Sequence, residues 1–332
     1  MHARPSINPV VIRHIIDEIR SLGKDPETLC RSMGLTTGAF ESPDLRLSCR
    51  QTDALVRRAI RMVPDPSLGH QVGCMRTIVD SGLIGLAIVT SESLGHMLEL
   101  FPRYPGAFGS PLVMHLEKGP DGALSLVAEA DHEDFRVATF FIDELFSSIL
   151  QMMRSALGAN VNPQFLDLAY ARPEYEMALQ GFFQAPIRFG QKNNRLTIAA
   201  EWLDVELPTA DAVVFSHVVT LLNRELAELE ESDICQTIER MITGRLESPP
   251  KLTEVAASLG TSERTLRRQL ALMGMSYQTL TDKVYKSKAV ELLQSSDASI
   301  VDIATSLGFS DVRNFRRAFK RWTGTAPTAL RK

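Results

Sequence analysis

The 332-residue sequence lacks a long hydrophobic run, paired cysteines and clustered histidines. Its longest apolar stretch, residues 83–89, is interrupted by Gly85 and falls far short of the roughly 20 residues that a membrane-spanning helix needs. The chain does not open with a basic stretch leading into an apolar core and a small-residue cleavage site, so the expectation is a cytoplasmic protein with no membrane partner. Only four cysteines occur, Cys30, Cys49, Cys74 and Cys235, and no two form a CxxC pair. Neither a structural zinc site nor a disulfide framework is expected, and the thiols read as small buried hydrophobes. None of the seven histidines stands in an HxxxH or HExxH arrangement, which leaves no pair of imidazoles on one helical face and no metal site. GxSxG and phosphate-binding loops are missing too, so no cofactor is called for and no catalytic residue is nominated.

What is present is ample core-forming material, with 44% hydrophobic and 23% charged residues. That balance excludes disordered and fibrous architectures. A chain of this length suggests two or three domains at about 100–200 residues each. Charge is divided unevenly: residues 251–332 hold 14 Lys+Arg against 7 Asp+Glu, while residues 1–250 hold 22 against 33. A basic C-terminal module on an acidic body suggests a polyanion partner for one half only.

The basic module contains an internal repeat. Residues 252–262 (LTEVAASLGTS) and 300–310 (IVDIATSLGFS) match at Val255/Ile303, Ala256/Ala304, Leu259/Leu307, Gly260/Gly308 and Ser262/Ser310. In each copy a short helix ends at a glycine, which adopts the left-handed conformation without steric penalty. Ser262 and Ser310 then stand where an N-cap belongs, with Glu263 and Asp311 in the first turn of a second helix. Leu266 and Leu270 in the first copy, and Phe315, Phe319 and Trp322 in the second, form the buried stripes.

The opposite faces are cationic: Arg264, Thr265, Arg267 and Arg268 in one copy, and Arg313, Asn314, Arg316 and Arg317 in the other. A helix, a glycine turn and a second helix with a basic outer face form the helix-turn-helix arrangement, whose second helix enters the major groove. Arginine suits this because its planar fork bonds guanine O6 and N7 together or clamps a phosphate. These residues are candidates for base edges, whereas Lys320 and Arg321 come later in the helix and are candidates for phosphate. A solvated or ion-paired face is the competing reading for any one arginine. Between the copies, residues 276–295 are free of Gly and Pro and predict a helix of about 19 residues, roughly 28 Å long at 1.5 Å per residue. That is near the ~34 Å between successive major-groove faces, so one chain could read two adjacent segments of double-stranded DNA.

Ile303-Ala304, Leu307-Gly308-Phe309-Ser310, the run Phe315-Arg316-Arg317-Ala318-Phe319-Lys320-Arg321-Trp322 and Gly324-Thr325-Ala326-Pro327 resemble, in order and spacing, the signature of the AraC/XylS family of transcription regulators. The resemblance covers residues 232–332 and includes a preceding helix with Ile234, Ile238, Met241 and Ile242, closed by Gly244 before Pro249-Pro250. One departure is Leu330, where the family usually has an aromatic residue before Arg331, and this bears on the packing of the C-terminal tail.

The acidic body reads as mixed α and β. Residues 10–22 and 52–63 predict amphipathic helices, and residues 112–116 and 124–128 flank a Gly119-Pro-Asp-Gly122 turn as a hairpin. The order of residues 82–95, of 182–190, and of Leu196 and Leu203 through Pro208 resembles the arabinose-binding-like sensor domain of one branch of the family. The implied fold class is an α+β sensor and dimerisation domain over residues 1–230, followed by an all-α domain over 231–332 with two helix-turn-helix motifs joined by a long helix. The resemblance also implies a small-molecule effector that changes how the C-terminal module meets DNA or RNA polymerase, as an activator would.

Two groups combine aromatic walls with a cation, as a pocket for an organic anion would: Phe101, Arg103, Tyr104 and Phe108, and His132, Phe135 and Arg136. Arg103, Tyr104 and Arg136 are the effector candidates, against a reading as core plus surface. Phe215, Val219, Leu222 and Leu226 follow a 3,4 alternation, which serves either a homodimer helix, as the family resemblance favours, or burial against its own domain. The first functional reading is a regulator controlled by a small molecule. The alternative is an enzyme with an appended DNA-binding module.

Overall fold

The computed structural model describes residues 5–331 apart from 131, 133, 159, 296 and 297. The chain divides into two compact units, 1–224 and 225–332. Both this division and the expected one at 230/231 fall within a single helix.

The N-terminal unit begins with β1 (Pro5–Ile7), α1 (Val10–Ser21) and a short α2 (Glu27–Cys30). β1 pairs antiparallel with β2 (Leu47–Ser48), which leads directly into α3 (Cys49–Met62). Ser48 caps α3 in a reciprocal box: the Gln51 N–H donates to Ser48 Oγ at 3.2 Å, and the Ser48 N–H donates to Gln51 Oε1 at 2.9 Å. Both satisfy amides that the first turn would otherwise leave open. α4 (Leu68–Met75), α5 (Leu83–Thr90) and α6 (Leu94–Arg103) follow.

The expected hairpin forms as β3 (Val113–Lys118) and β4 (Leu124–Glu129), with Val113 opposite Glu129 and Lys118 opposite Leu124. After α7 (Phe135–Leu157) come β5 (Phe165–Asp167), α8 (Glu176–Phe183), β6 (Ile187–Arg188), β7 (Asn194–Ile198) and a short α9 (Ala200–Leu203). The sheet order is β3-β4-β7-β5-β6. β5 and β6 pair in parallel, and the other neighbours are antiparallel.

α7 is buried nearly all round, including Asp143, Glu144, Ser147 and Ser148. Each of these polar groups needs a partner, since an unpaired one costs about 1–3 kcal/mol. Glu144 accepts from Arg76 Nη1 at 2.8 Å, and both side chains are almost wholly buried. The same guanidinium nitrogen reaches the Phe108 carbonyl at 3.1 Å. Ser147 Oγ lies 2.8 Å from His70 Nδ1, and Ser148 Oγ donates to the Leu145 carbonyl at 2.9 Å. Asp143 accepts from the hydroxyls of Tyr170 and Tyr175, the latter at 2.6 Å. Burial pushes the Asp143 carboxyl up to about 7, opposed by its two tyrosine hydrogen bonds.

α4 crosses α7 at backbone contact. A Cβ on Gly69 would stand 2.4 Å from the Phe140 carbonyl oxygen, and one on Gly73 would stand 2.5 Å from that of Glu144. These glycines are required for close approach, not for an unusual dihedral.

α10 (Ala212–Thr243) is one continuous helix, where the sequence reads as two amphipathic stretches. No Gly or Pro lies within it to break it. Val218 and Leu222 are buried in the core of the N-terminal unit, whereas Ile238 and Ile242 are buried in that of the C-terminal unit. The C-terminal unit continues with α11 (Leu252–Ser258), α12 (Glu263–Leu272), α13 (Tyr277–Ser295), α14 (Ile300–Ser306) and α15 (Val312–Thr323). Leu330 packs against this core despite replacing the expected aromatic residue.

Gly69→Ala should destabilise the N-terminal unit by about 1–3 kcal/mol through overpacking against a backbone that cannot yield. Gly181→Ala in α8, where an added Cβ meets nothing within 4 Å, should be neutral or stabilising by up to ~1 kcal/mol. Urea unfolding of both variants checks the contrast, and equal midpoints would contradict it. A second test uses Asp143. Its folded-state proton affinity exceeds that of the unfolded chain, so its contribution favours the fold below about pH 4 and is lost as pH rises toward 7. Asp143→Asn should therefore flatten the decline in stability between pH 4 and 7 relative to wild type, as read from denaturation at a series of pH values.

Candidate functional site

The two copies of the repeat fold as α11–turn–α12 and α14–turn–α15. Gly260 and Gly308 close the first helices at φ 65° and 74°. Leu266 and Leu270 of α12, and Phe315 and Phe319 of α15, are fully buried. With those stripes turned inward, Arg264, Arg267 and Arg268 are exposed on α12, and Arg313, Asn314, Arg316, Arg317, Lys320 and Arg321 are exposed on α15, while Thr265 is half-buried. Helical periodicity alone produces this sorting, because residues three and four apart share a face.

The caps differ between copies. Ser262 caps α12, its Oγ accepting from the Thr265 N–H at 3.2 Å. Ser310 does not cap α15, contrary to expectation. The Asp311 carboxylate takes that place, accepting from the Arg313 N–H at 2.8 Å, and the helix starts one residue later than the repeat implies. An aspartate at that position outcompetes the preceding hydroxyl because its charge also meets the positive helix end.

Two of the basic side chains are engaged within the unit. Arg267 pairs with Glu263 at 2.6 Å, and Arg321 with Asp282 of α13 at 2.9 Å. Both guanidinium groups are mostly exposed, so these pairs are weak, about 0–1 kcal/mol, and an incoming phosphate can displace them. The other basic residues of the two faces carry no ion pair among the described residues.

The glycine turns also differ. A Cβ on Gly260 meets open space, but one on Gly308 would stand 2.6 Å from the Glu247 carbonyl oxygen and 2.7 Å from its Cα. The segment between α10 and α11 is thus seated on the second turn. It is held there by Tyr285, whose hydroxyl donates to the Leu246 carbonyl at 2.6 Å, and by Tyr277, whose hydroxyl donates to that of Pro250. Sequence reading did not find this strap, since nothing in its composition marks it beyond a Pro-Pro pair.

In the N-terminal unit the effector candidates separate. Tyr104 is buried, its hydroxyl donating to Asn223 Oδ1 at 2.7 Å, and Arg103 Nη2 reaches the same oxygen at 3.2 Å. Phe101 and Phe108 stack on each other at 4.2 Å inside the core. This group fastens α6 to α10. Arg136 lines two adjoining hollows, one beside Arg57 and Asp134 and the other a cavity of about 590 Å³ formed by the end of α3, the segment before α4, the start of α7 and residues 170–175. The dimerisation stripe is divided as well. Leu222 is buried and Phe215 packs on the same core, so own-domain burial accounts for them; Val219 is half-buried and Leu226 is exposed.

Residues 23–207 match the family described as the arabinose-binding domain of AraC transcription regulators, and residues 255–332 match a helix-turn-helix domain. The chain is 25% identical to the ornithine utilization regulator of Pseudomonas aeruginosa over 319 residues, covering 96% of this chain and 94% of that protein. It is 27% identical to the transcriptional regulator VqsM of the same organism over 289 residues, 85% of this chain and 88% of that one. The crystal structure of the transcriptional regulator CdpR from P. aeruginosa aligns with a TM-score of 0.47 at 23% identity, covering 91% of this chain and 95% of that one.

The asymmetry of the two turns is testable by stability. Gly260→Ala should cost about 1–2 kcal/mol, the penalty of a left-handed conformation for an L-residue. Gly308→Ala should cost more, because the same strain is joined by collision with the Glu247 backbone. Thermal unfolding of the two variants at one protein concentration reads the difference, and an equal loss would mean that the strap yields freely.

Proposed function

Because the chain belongs to the AraC family of transcription regulators that carry an arabinose-binding N-terminal domain, we propose that α12 and α15 act as paired recognition helices on adjacent major-groove segments under control of a small molecule bound by the N-terminal unit. The observation that carries this reading is the duplicated helix-turn-helix with buried apolar stripes and exposed arginines on both second helices. α13, with its 19 residues, separates the copies, and about 28 Å of helix suits the ~34 Å repeat of the groove.

Within this reading Arg264, Arg267, Arg268, Arg313, Asn314, Arg316 and Arg317 address base edges or nearby phosphates, with Thr265 beside them. Ser262 and Ser310 stand at the helix starts, where backbone amides and hydroxyls meet phosphate. Lys320 and Arg321 address phosphate, Arg321 after release from Asp282. A homodimer on repeated half-sites and a contact with RNA polymerase complete the proposal. Of the stripe on α10, Val219 and Leu226 retain accessible surface for pairing, and Phe215 and Leu222 support it from within.

Mobility shift with DNA from the region upstream of the gene, at a stated salt concentration and with excess competitor, tests the reading. Arg268→Ala with Arg317→Ala should abolish specific binding, each bidentate base contact being worth about 1–3 kcal/mol. Lys320→Ala should weaken binding to all sequences alike and reduce the salt slope by about 1. Unchanged specific affinity in the double variant would overturn the assignment of recognition helices.

A further inference from the structure

We propose that the cavity between the end of α3, the start of α7 and residues 170–175 is the effector site, and that it takes a small organic monocarboxylate with an apolar body. The proposal rests on the reading of the N-terminal unit as the effector-binding part of the chain, and it names the site and the chemistry. At about 590 Å³ the cavity has the size of a small-molecule pocket.

Its walls are made by Ile60, Val63, Leu68 and Phe140, and by Tyr170 and Tyr175. The tyrosines decide its character. Both hydroxyls are committed to the buried Asp143 carboxylate behind the wall, so the rings, and not the hydroxyls, are left for a ligand. Asp65 is committed as an acceptor, although neutral donors leave its negative charge in place: its carboxylate accepts from the Ser67 N–H at 2.8 Å, the Ser67 hydroxyl at 2.7 Å and Gln71 Nε2 at 2.8 Å. A polyol needs a hydrogen-bond partner for nearly every hydroxyl it buries, since each unmatched one is penalised. Away from the charged rim, Thr139 adds a single further hydroxyl to this lining, too few partners for the body of a sugar.

What the cavity does offer at its mouth is two guanidinium groups. The Arg136 side chain is 55% exposed and its guanidinium touches Asp134 through Nε only, at 3.5 Å; the Arg172 side chain is 69% exposed, uses Nη1 for Glu176 at 2.9 Å and lies over the Phe189 ring at 5.6 Å. Each keeps uncommitted donors of its fork, the geometry that receives a carboxylate. Because the cations stand near solvent and the apolar walls lie deeper, the ligand enters body first with its carboxylate held at the mouth. Glu174, exposed at the same rim, opposes a second negative charge, which favours a monoanion.

The test is calorimetric titration of the full chain with matched probes: 3-phenylpropionate, hexanoate, 3-phenylpropanol, L-phenylalanine and L-arabinose. Saturable one-to-one binding of 3-phenylpropionate or hexanoate is expected, and which of the two wins identifies an aryl or alkyl body. The alcohol should bind at least about tenfold more weakly, the effect of losing one charged contact. Arg136→Gln with Arg172→Gln should weaken the carboxylate by a similar factor, Glu174→Gln should strengthen it, and Ala171→Trp, which fills the mouth from an exposed position, should abolish it. Urea midpoints equal to wild type establish that these surface variants fold. Binding of neither carboxylate, tighter binding of arabinose or phenylalanine, or binding indifferent to Ala171→Trp would each overturn the proposal. Mobility shifts with the same ligand keep the two ideas apart. A carboxylate that binds in the cavity without altering DNA affinity marks a ligand site but overturns its assignment as the effector site. A compound that still alters DNA affinity in the Ala171→Trp protein preserves the effector reading and removes this site.

Discussion

Where α4 crosses α7, two backbones meet with no side chain between them, and the N-terminal unit is organised around that approach. Gly69 and Gly73, four residues apart and therefore on one helical face, bring α4 against the carbonyls of Phe140 and Glu144. That closeness carries Arg76, just beyond the end of α4, to Glu144 in the interior. The pair itself adds little net stability, because desolvating two charges cancels most of their attraction. Its contribution is to direction: a buried guanidinium that must meet Glu144, the Phe108 carbonyl and Ser81 Oγ together restricts the placement of the end of α4. Burial holds the Glu144 carboxyl above its ordinary range, and the Arg76 charge draws it part of the way back.

The C-terminal unit solves a different problem, that of repeating one motif within a single core. Val255 and Ile303, Ala256 and Ala304 take equivalent buried positions, which is what a repeat in sequence implies. The copies nevertheless diverge wherever they touch something outside the repeat. One cap is a serine and the other an aspartate, and one glycine turn is open while the other carries the strap. Aromatic residues concentrate around the second copy, with Tyr285, Phe309, Phe315 and Trp322 in mutual edge and tilted contacts.

The C-terminal unit was largely legible in the sequence because its signals are local. Leu266 and Leu270, or Phe315 and Phe319, announce the buried face by spacing alone, and the arginine faces follow from it. The cap of α15 was misread because Ser310 and Asp311 are both good N-caps, and only the backbone decides between neighbours. The N-terminal unit was less legible because its determinants join distant positions. Asp143 meets tyrosines 27 and 32 residues away, and Arg76 meets Glu144 across 68. Two signals were there to be used: an acidic pair inside the apolar run 140–146, and small residues at Gly69 and Gly73 in a short helix. Arg103 and Tyr104 looked like a ligand group because aromatic plus cation describes a pocket and an interhelical clasp equally well.

The strap ahead of α11 bears on what counts as a portable module. The helix-turn-helix match begins at residue 255, yet Ile238 and Ile242 sit in the same core as Leu266 and Phe315, and two tyrosines of α13 hold the carbonyls of Leu246 and Pro250. A graft cut at the start of the repeat would carry the two helix-turn-helix copies without the helix and strap that complete their core, leaving apolar surface bare and two phenols without acceptors. The exchangeable piece of this regulator is therefore longer than its recognisable motif, and a chimaera that keeps its DNA preference must be joined upstream of Ile234.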